Sequence, residues 1–323
     1  AALDPAQAPP AEDYLWSAGG NGVSAVDLIR ARREAQENAD ARRVYDARRK
    51  PAPWGWMVST YVTTKAISAG VVMVTFLLYL FGDAPAALPL PPALVSLAAL
   101  AVTGALLVAD LKQPQRFLYV LLRPQWRSWL VRGAYLITAF GVLALVTALL
   151  SLADAGAGVQ LVFGGLVAAF GVPVAAYTAL LFAQARGRDY WQSPLLSITM
   201  LFDALAAGAA VAALLGSFGV AGGIHCDPAR YGLAVCAVLL GGLLAAEFLT
   251  PHPTKNASRA AQVIVRGEFS RWFWIGVVLI GVLAPLVVAL ATKDVIIASL
   301  GLLAGIAIKN HLLVQAPQRV PLS

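Results

Sequence analysis

Long apolar segments alternate with short polar loops along most of this chain. An α-helix needs about 20 predominantly apolar residues to cross the hydrocarbon core of a membrane. Eight segments meet that length and predict spanning helices at 57–81, 89–109, 129–152, 159–183, 194–217, 229–250, 272–292 and 294–314. Only Lys293 and Asp294 separate the last two, so seven or nine spans are the alternatives. The predicted fold class is an all-α polytopic membrane protein, with residues 54–323 as its membrane domain.

Lysine and arginine are concentrated in every second loop. The loops after spans two, four and six carry Lys112, Arg116, Arg123, Arg127, Arg186, Arg188, Lys255, Arg259, Arg266 and Arg271. The alternate loops hold mainly Asp83, Asp154, Asp227 and Asp294, with Arg230 and Lys293 as their cations. Cytoplasmic loops of membrane proteins carry an excess of lysine and arginine. The pattern therefore predicts a cell inner membrane protein with both termini and the basic loops on the cytoplasmic side.

Residues 1–53 are predicted to form a cytoplasmic tail, because they contain no apolar segment long enough to span a membrane or to act as a signal peptide. Ser24 followed by Asp27 resembles a helix N-cap with an acid in the first turn, and residues 25–49 read as a charged helix. The tail holds eight basic and eight acidic residues, which argues against a polybasic lipid anchor. A solvated helix and a docking arm for a soluble partner both fit.

Composition supports the membrane assignment. The chain is 59% hydrophobic and 13% charged, whereas soluble domains carry about 25% charged residues. The net charge of +7 could indicate nucleic-acid binding, but the cations lie in short loops between apolar segments. The two cysteines, Cys226 and Cys236, form no C-x-x-C motif. That excludes a self-contained iron–sulfur cluster or zinc knuckle in this chain.

Several ionisable and polar residues lie inside the predicted spans, all in their cytoplasmic halves. Such residues usually face a cavity or the interior of the helix bundle. Lys65 and Asp203 both lie roughly 12–14 Å from the cytoplasmic edge at 1.5 Å per residue, so they could form a pair. The others are Arg132, Tyr135, Tyr177, Gln184, Glu247, His252, Lys309, Asn310 and His311. Polarity that stops partway across predicts a pocket open to one face, suited to a membrane quinone.

More ordinary roles are available to some of these residues. Glu247, His252 and His311 lie near enough to the membrane surface for their polar ends to reach water. Lys65 and Asp203 are too deep for that, and a purely structural ion pair is their alternative.

Four segments resemble the NrfD/PsrC family, the membrane subunits of polysulfide, nitrite, sulfite and formate oxidoreductases. They are PWGWMVSTYVTTKAISAG (53–70), DLKQPQRFLYVLLRPQWRSWLVRGAYLITAF (110–140), SPLLSITMLFDALAAGAA (193–210) and VQAPQRVPLS (314–323). The second is the most specific. The last departs from the family's closing pattern, because Ala316 and Pro317 replace its usual glycine. The resemblance covers residues 53–323.

The resemblance implies two four-helix bundles, with a quinone site in the first and no haem or iron–sulfur cluster in the chain. By position, Tyr135 is implied to hydrogen-bond a carbonyl oxygen of menaquinone or ubiquinone. Some members place Asn and His in span one near the quinone, where this chain has Thr64 and Lys65. Lys65 is therefore expected to take over the head-group role. The predicted quinone contacts are Tyr135, Lys65, Trp54, Trp56, Thr60 and Arg132.

The family also implies partners and an electron path. A ferredoxin-like iron–sulfur subunit and a large catalytic subunit, carrying molybdopterin or a similar cofactor, are expected on the cytoplasmic loops. The predicted docking residues are Arg116, Arg123, Arg127, Arg259 and Arg266. The predicted proton pathway consists of Asp203, Glu247, His252, Lys309 and His311. The chain is then a quinone-reactive anchor that is not catalytic alone.

Three other functions compete with this hypothesis. A di-haem cytochrome b needs four histidines, but the chain has three, and His225 lies in an outer loop. One haem between His252 and His311 is the most it could hold. An ion or proton transporter usually has inverted repeats, whereas RSWLVRGAY (127–135) and SRWFWIGVV (270–278) suggest a weak parallel repeat. A purely structural anchor is disfavoured by the buried Lys65 and Asp203.

Overall fold

The computed structural model describes residues 54–81, 89–111, 113, 115, 120, 122–220, 226–292 and 294–320. The predicted tail at 1–53 lies outside the described residues, as do the loop residues Lys112 and Arg116. The described part of the chain is built from helices joined by short connections.

Nine helices follow one another in the described residues. They are α1 (Trp56–Phe81), α2 (Leu90–Ala109), α3 (Trp129–Leu152), α4 (Ala157–Ala183), α5 (Leu195–Ser217), α6 (Cys226–Leu249), α7 (Lys255–Val265), α8 (Trp272–Ala291) and α9 (Val295–Arg319). All but α7 are long and apolar enough to cross a membrane, which gives eight candidate spans in the described residues. The all-α fold class and the eight predicted spans are therefore confirmed. Within α8, residues Trp272–Leu283 are π-helical and Ala284–Ala291 are α-helical.

The last helix extends to Arg319, beyond the end predicted at residue 314. The apolar pattern stops earlier because the final turns carry Gln315, Gln318 and Arg319. Exposed carbonyl groups at a helix end need partners. Here the Arg188 guanidinium donates to the carbonyl oxygens of Pro317 and Val320. This tertiary contact lets the helix continue past its apolar segment.

Helices α1, α3, α5 and α8 all begin on the same side of the protein, which we call the basic side. The Trp129 amide donates to Gln184 Oε1 at the end of α4, 3.1 Å away. Trp54 bonds in the same way to Gln318, near the end of α9, at 3.2 Å. The basic side also carries α7 and most of the described loop arginines.

Two central helices, α1 and α5, organise the packing. α1 contacts α2 and α4, and α5 contacts α6 and α9. α3 lies against α2 and α4, while α8 lies against α6 and α9. α1 and α5 also pack closely on each other, with α4 touching α5 and α9 touching α1. The division into two four-helix bundles stays a prediction, since α1 contacts both groups.

Glycines allow α1 and α5 to meet backbone to backbone. A Cβ atom added at Gly70 would lie 1.7 Å from the carbonyl oxygen of Ala204. One added at Gly208 would lie 2.1 Å from the carbonyl carbon and oxygen of Gly70. Small residues permit this close approach between membrane helices, where van der Waals packing drives association.

Candidate functional site

A buried ion pair joins α5 to α9 in the interior of the last four spans. The Lys309 ammonium donates to the carboxylate of Asp203, whose side chain is only 2% exposed. A charge removed from water is tolerated when an opposite charge and hydrogen bonds compensate for the lost hydration. Asp203 and Lys309 supply that compensation to each other.

This pair faces a pocket between α5, α6, α8 and α9, which we call the inner pocket. Its apolar wall consists of Leu196, Met200, Leu243, Leu244, Phe248, Ile264, Phe273, Leu312 and Leu313. Its polar lining consists of Tyr190, Ser193, Thr199, Asp203, Glu247 and Lys309. The free volume of about 50 Å³ suffices for a few water molecules, since about 10–15 Å³ of such volume holds one.

A wider, more polar pocket adjoins it on the basic side, and we call it the outer pocket. It is lined by Arg186, Asp189, Tyr190, Gln192, Ser193, Pro194, Leu195, Glu247, Thr250, Pro251, His252, Pro253, Thr254 and Ala257. Its free volume is about 370 Å³. Tyr190, Ser193 and Glu247 line both pockets. The two pockets therefore meet at these three residues.

Tyr190, Glu247 and His252 form a compact cluster at that junction. The Tyr190 hydroxyl lies close enough to the Glu247 carboxylate to interact with it. The Tyr190 ring stacks on the His252 ring, with centroids 5.9 Å apart and planes 13° from parallel. His252 Nε2 lies 3.7 Å from Glu247 Oε1. Burial, together with the Glu247 carboxylate, raises the pKa of Tyr190 well above its usual value, so the phenol stays protonated.

Lys65 is enclosed elsewhere, between α1 and α4. Its ammonium donates to the Ala175 carbonyl at 3.0 Å and to Thr178 Oγ1 at 2.5 Å. It also lies 4.5 Å from the centre of the Tyr177 ring. Among the described residues it has no carboxylate partner. The expected Lys65–Asp203 pair is therefore wrong, because Asp203 bonds to Lys309.

The geometry of the α1–α5 contact explains this error. Lys65 precedes Gly70 by five residues, and Asp203 precedes Gly208 by five residues. Five residues turn an α-helix by about 140° beyond a full turn. Both side chains consequently point away from the glycine contact, Lys65 toward α4 and Asp203 toward α9.

Four of the five predicted proton-pathway residues come together. Asp203, Glu247 and Lys309 line the inner pocket, and His252 lies beside Glu247. His311 is separate from them. It lies two residues after Lys309, about 200° around the helix, and its Nδ1 is 3.1 Å from Ser59 Oγ.

Tyr135 lies at the basic-side rim of α3. Its ring is 4.8 Å from that of Trp126, and it is half-buried. The Arg132 guanidinium lies over the Trp129 ring at 4.7 Å, and its Nε donates to the Trp126 carbonyl at 2.6 Å. These four residues form an aromatic and basic group, which we call the α3 rim.

The structure does not bring Tyr135 and Lys65 to one point. A Cβ atom added at Gly133 would lie 2.2 Å from the Tyr177 ring, so that face of α3 looks toward Lys65 and its neighbours. Tyr135 follows two residues later, about 200° around the helix. The body of α3 therefore lies between Tyr135 and Lys65, the two predicted contacts to the quinone head group.

The predicted wall at the entry of span one divides as well. Trp54 is half-buried, with its ring 5.1 Å from Phe182 and 4.7 Å from Trp191. Trp56 is 60% exposed. Thr60 is half-buried and donates to the Trp56 carbonyl at 2.9 Å. Trp54 therefore belongs to an aromatic cluster of the interior, whereas Trp56 lies on the surface.

The described docking candidates are all exposed on the basic side. Arg123 and Arg127 lie in the segment before α3. Arg259 and Arg266 line a shallow groove with Arg319, between α7 and the end of α9. Arg116 lies outside the described residues. Among the described residues, no three His, Cys, Asp or Glu side chains gather as a metal site.

Two functional features were missed by the sequence reasoning. Tyr190 lies in a short 3₁₀ turn, Asp189–Gln192, which carries no periodic pattern to mark it as buried. The correspondence between KAISAG (65–70) and DALAAG (203–208) was available in the sequence. It would have indicated that Lys65 and Asp203 occupy equivalent positions on α1 and α5, and that they do not form one site together.

Comparison with known proteins agrees with this architecture. A search of curated proteins gave no match to the chain. The family described as polysulphide reductase, NrfD matches residues 46–321, which include every described helix. With that match and eight candidate spans in the described residues, this chain belongs to the NrfD family of polytopic membrane proteins.

Proposed function

We propose that this chain is the membrane subunit of a multisubunit respiratory oxidoreductase. It exchanges electrons and protons between an iron–sulfur partner and a membrane quinone. Membership in the NrfD family supports the class. The observation that carries the proton part is the set of ionisable groups running inward from the basic side, from His252 through Glu247 to the Asp203–Lys309 pair.

The quinone, menaquinone or ubiquinone, is proposed to bind at the α3 rim. Tyr135 offers a phenol that can donate to a quinone carbonyl oxygen, and Trp126 offers an aromatic face beside it. Exposed apolar residues on α3, such as Leu130, suit a ligand with a long apolar tail. Lys65 lies one layer further in. We assign it the role of a buried amine behind the site, whose protonated form would favour a head group that gains negative charge.

Protons are proposed to enter the interior of the protein from the basic side, between the last four spans. His252 and Glu247 border the outer pocket, and Glu247 also borders the inner pocket beside Asp203 and Lys309. Water in these pockets links groups that are too far apart for direct transfer. His311 bonds to Ser59 on another face of α9 and is left out of this route.

The chain is proposed to lie in the inner membrane of the cell. Its basic side is proposed to face the cytoplasm. The exposed arginines on that side are the positive-inside signal. They also offer a docking surface to a ferredoxin-like iron–sulfur subunit and a large catalytic subunit. Charges of this kind steer a complementary partner and raise the association rate, an effect that weakens as salt increases.

Purification in mild detergent, with mass spectrometry of whatever co-purifies, tests this function. An iron–sulfur protein, a large cofactor-bearing subunit and bound quinone are expected. A homo-oligomer without quinone would contradict the proposal and favour an ion-translocating protein. Partner subunits without quinone would favour a purely structural anchor.

Replacing Tyr135 by phenylalanine is expected to slow quinone turnover by about three- to tenfold, because one hydrogen bond is worth about 1 kcal/mol. Assembly should be unchanged, since the ring and its contact with Trp126 remain. The measurement is the rate of quinone reduction or quinol oxidation by the purified complex. Tyr231→Phe is the matched control, because Tyr231 is an exposed phenol at the other end of the spans. Equal rates for the parent and Tyr135→Phe would remove Tyr135 from the site.

A further inference from the structure

Tyr190 stands where the outer and inner pockets meet. It lines both pockets, and its side chain is only 7% exposed. Of the other two shared residues, Ser193 is small and Glu247 interacts with Tyr190 itself. The tyrosine ring is therefore the largest group at the junction of the two pockets.

The two pockets differ in what they hold. The outer pocket is wide and lined mostly by polar residues and prolines on the basic side. The inner pocket is narrow, walled mainly by leucine, phenylalanine, isoleucine and methionine, and it contains the Asp203–Lys309 pair. A proton from the basic side has to pass the junction to reach that pair by the route described above.

The turn that carries Tyr190 is anchored by its neighbour. The Trp191 indole donates to the Leu313 carbonyl at 2.9 Å and packs against Trp54 and Phe182. The Trp191 amide also bonds to the Arg188 carbonyl. The backbone is thereby held in place at the junction. The Tyr190 side chain is held by its stack on His252 and by its interaction with the Glu247 carboxylate.

We propose that Tyr190 is the gate through which the Asp203–Lys309 pair exchanges protons with the basic side. With its hydroxyl beside Glu247, the Tyr190 ring closes the junction between the two pockets. When the side chain turns away, the water of the outer pocket becomes continuous, past Glu247, with the water of the inner pocket. A proton from the basic side is then relayed along that water to Glu247, each water taking up one proton as it passes one on, and from Glu247 through inner-pocket water to Asp203. Tyr190 keeps its own proton throughout and acts as a positioning residue.

This inference rests on the proposed proton route, but its test needs neither quinone nor partner subunits. Cys226→Ser and Cys236→Ala first remove the native thiols from the full chain. A single cysteine is then placed at Thr199, which lines only the inner pocket, or at Thr250, which lines only the outer pocket. Silver ions, which are close to water in size, are added to the purified protein. The thiols left unreacted at each time are counted with a fluorescent maleimide after denaturation in detergent.

Thr199→Cys should react slowly when Tyr190 is present. Tyr190→Ala should raise its rate by about tenfold or more, equivalent to about 1.4 kcal/mol of barrier. Tyr190→Phe should give an intermediate rate, because it keeps the ring on His252 but loses the hydroxyl that interacts with Glu247. Thr250→Cys should react at the same rate with Tyr190 retained, with Tyr190→Ala and with Tyr190→Phe.

Two results would overturn the gate. One is an equal rate for Thr199→Cys with Tyr190 and with Tyr190→Ala, which would mean that water enters elsewhere. The other is a Thr199→Cys rate that already matches Thr250→Cys in the presence of Tyr190. Since Tyr190→Phe retains the ring packing, it remains informative if Tyr190→Ala fails to fold. Labelling that responds to Tyr190 supports the gate whether or not the chain co-purifies with quinone, so a failure of the quinone function is seen separately, in the co-purification test.

Discussion

Replacing Gly208 by valine is expected to abolish recovery of the folded protein. The new Cβ would lie 2.1 Å from backbone atoms of Gly70 on α1, and no change of side-chain rotamer can relieve a clash with backbone. Overpacking a well-packed interior costs about 1–3 kcal/mol and sometimes more, and a backbone clash belongs at the upper end. The contact joins the two central helices, so α1 and α5 would have to separate. The measurement is the monodisperse fraction in size-exclusion chromatography, followed by the thermal midpoint of what remains.

Other glycines of the spans provide the controls. A Cβ atom added at Gly104 in α2 or at Gly242 in α6 meets no atom within 4 Å. Gly104→Val and Gly242→Val should therefore leave recovery and the thermal midpoint close to those of the parent. Gly70→Ala should resemble Gly208→Val in direction, because its Cβ would meet the Ala204 carbonyl oxygen. A Gly208→Val protein that is recovered and melts like Gly242→Val would contradict the described contact.

Replacing Asp203 by asparagine is expected to destabilise the protein by about 3–5 kcal/mol, the cost of leaving one member of a buried ion pair alone. Lys309 would keep a charge with 13% of its side chain exposed and no carboxylate to receive it. Lys309→Met should cost a similar amount by isolating Asp203. The double variant Asp203→Asn/Lys309→Met should recover most of the loss, because neither buried charge then remains. Resistance to unfolding in a graded denaturing detergent measures all four proteins.

The exposed pair between Arg319 and Glu268 is the matched control. Its side chains are 48% and 59% exposed and its closest N–O distance is 3.4 Å. Surface pairs contribute about 0–1 kcal/mol, so Glu268→Gln should change stability little. A double variant at Asp203 and Lys309 as unstable as the single ones would show that these residues do not compensate each other. Proton uptake by the whole complex should fail in that double variant even when stability returns, because the inner end of the route is gone.

Much of the architecture follows from local properties of the sequence. Each span is an apolar segment near the length that the bilayer demands, so its position was predictable without knowledge of its neighbours. The helix ends agree closely for the same reason, apart from α9. That helix continues to Arg319 because the Arg188 guanidinium, more than a hundred residues earlier, donates hydrogen bonds to the carbonyl oxygens of Pro317 and Val320. A long-range contact of this kind leaves no local pattern.

The candidate site was also predictable only in part from local properties of the sequence. The sequence by itself determined that Lys65, Asp203, Glu247 and Lys309 lie inside or at the ends of apolar spans, where ionisable groups are costly and rarely incidental. Depth along a helix follows from counting residues. The direction in which a side chain points relative to other helices does not, because it depends on how the helices are rotated about their axes.

Only the tertiary structure decided which buried side chains contact one another. The glycine contact between α1 and α5 turns Lys65 toward Thr178 and Asp203 toward Lys309, so two residues of equal depth and opposite charge never meet. His311 faces a different neighbour from Lys309, since its position about 200° around α9 places it against Ser59 of α1. Tyr190 enters the site from a short turn that has no span of its own. Sequence set which residues are buried and how deep, and helix packing set which of them can share a proton.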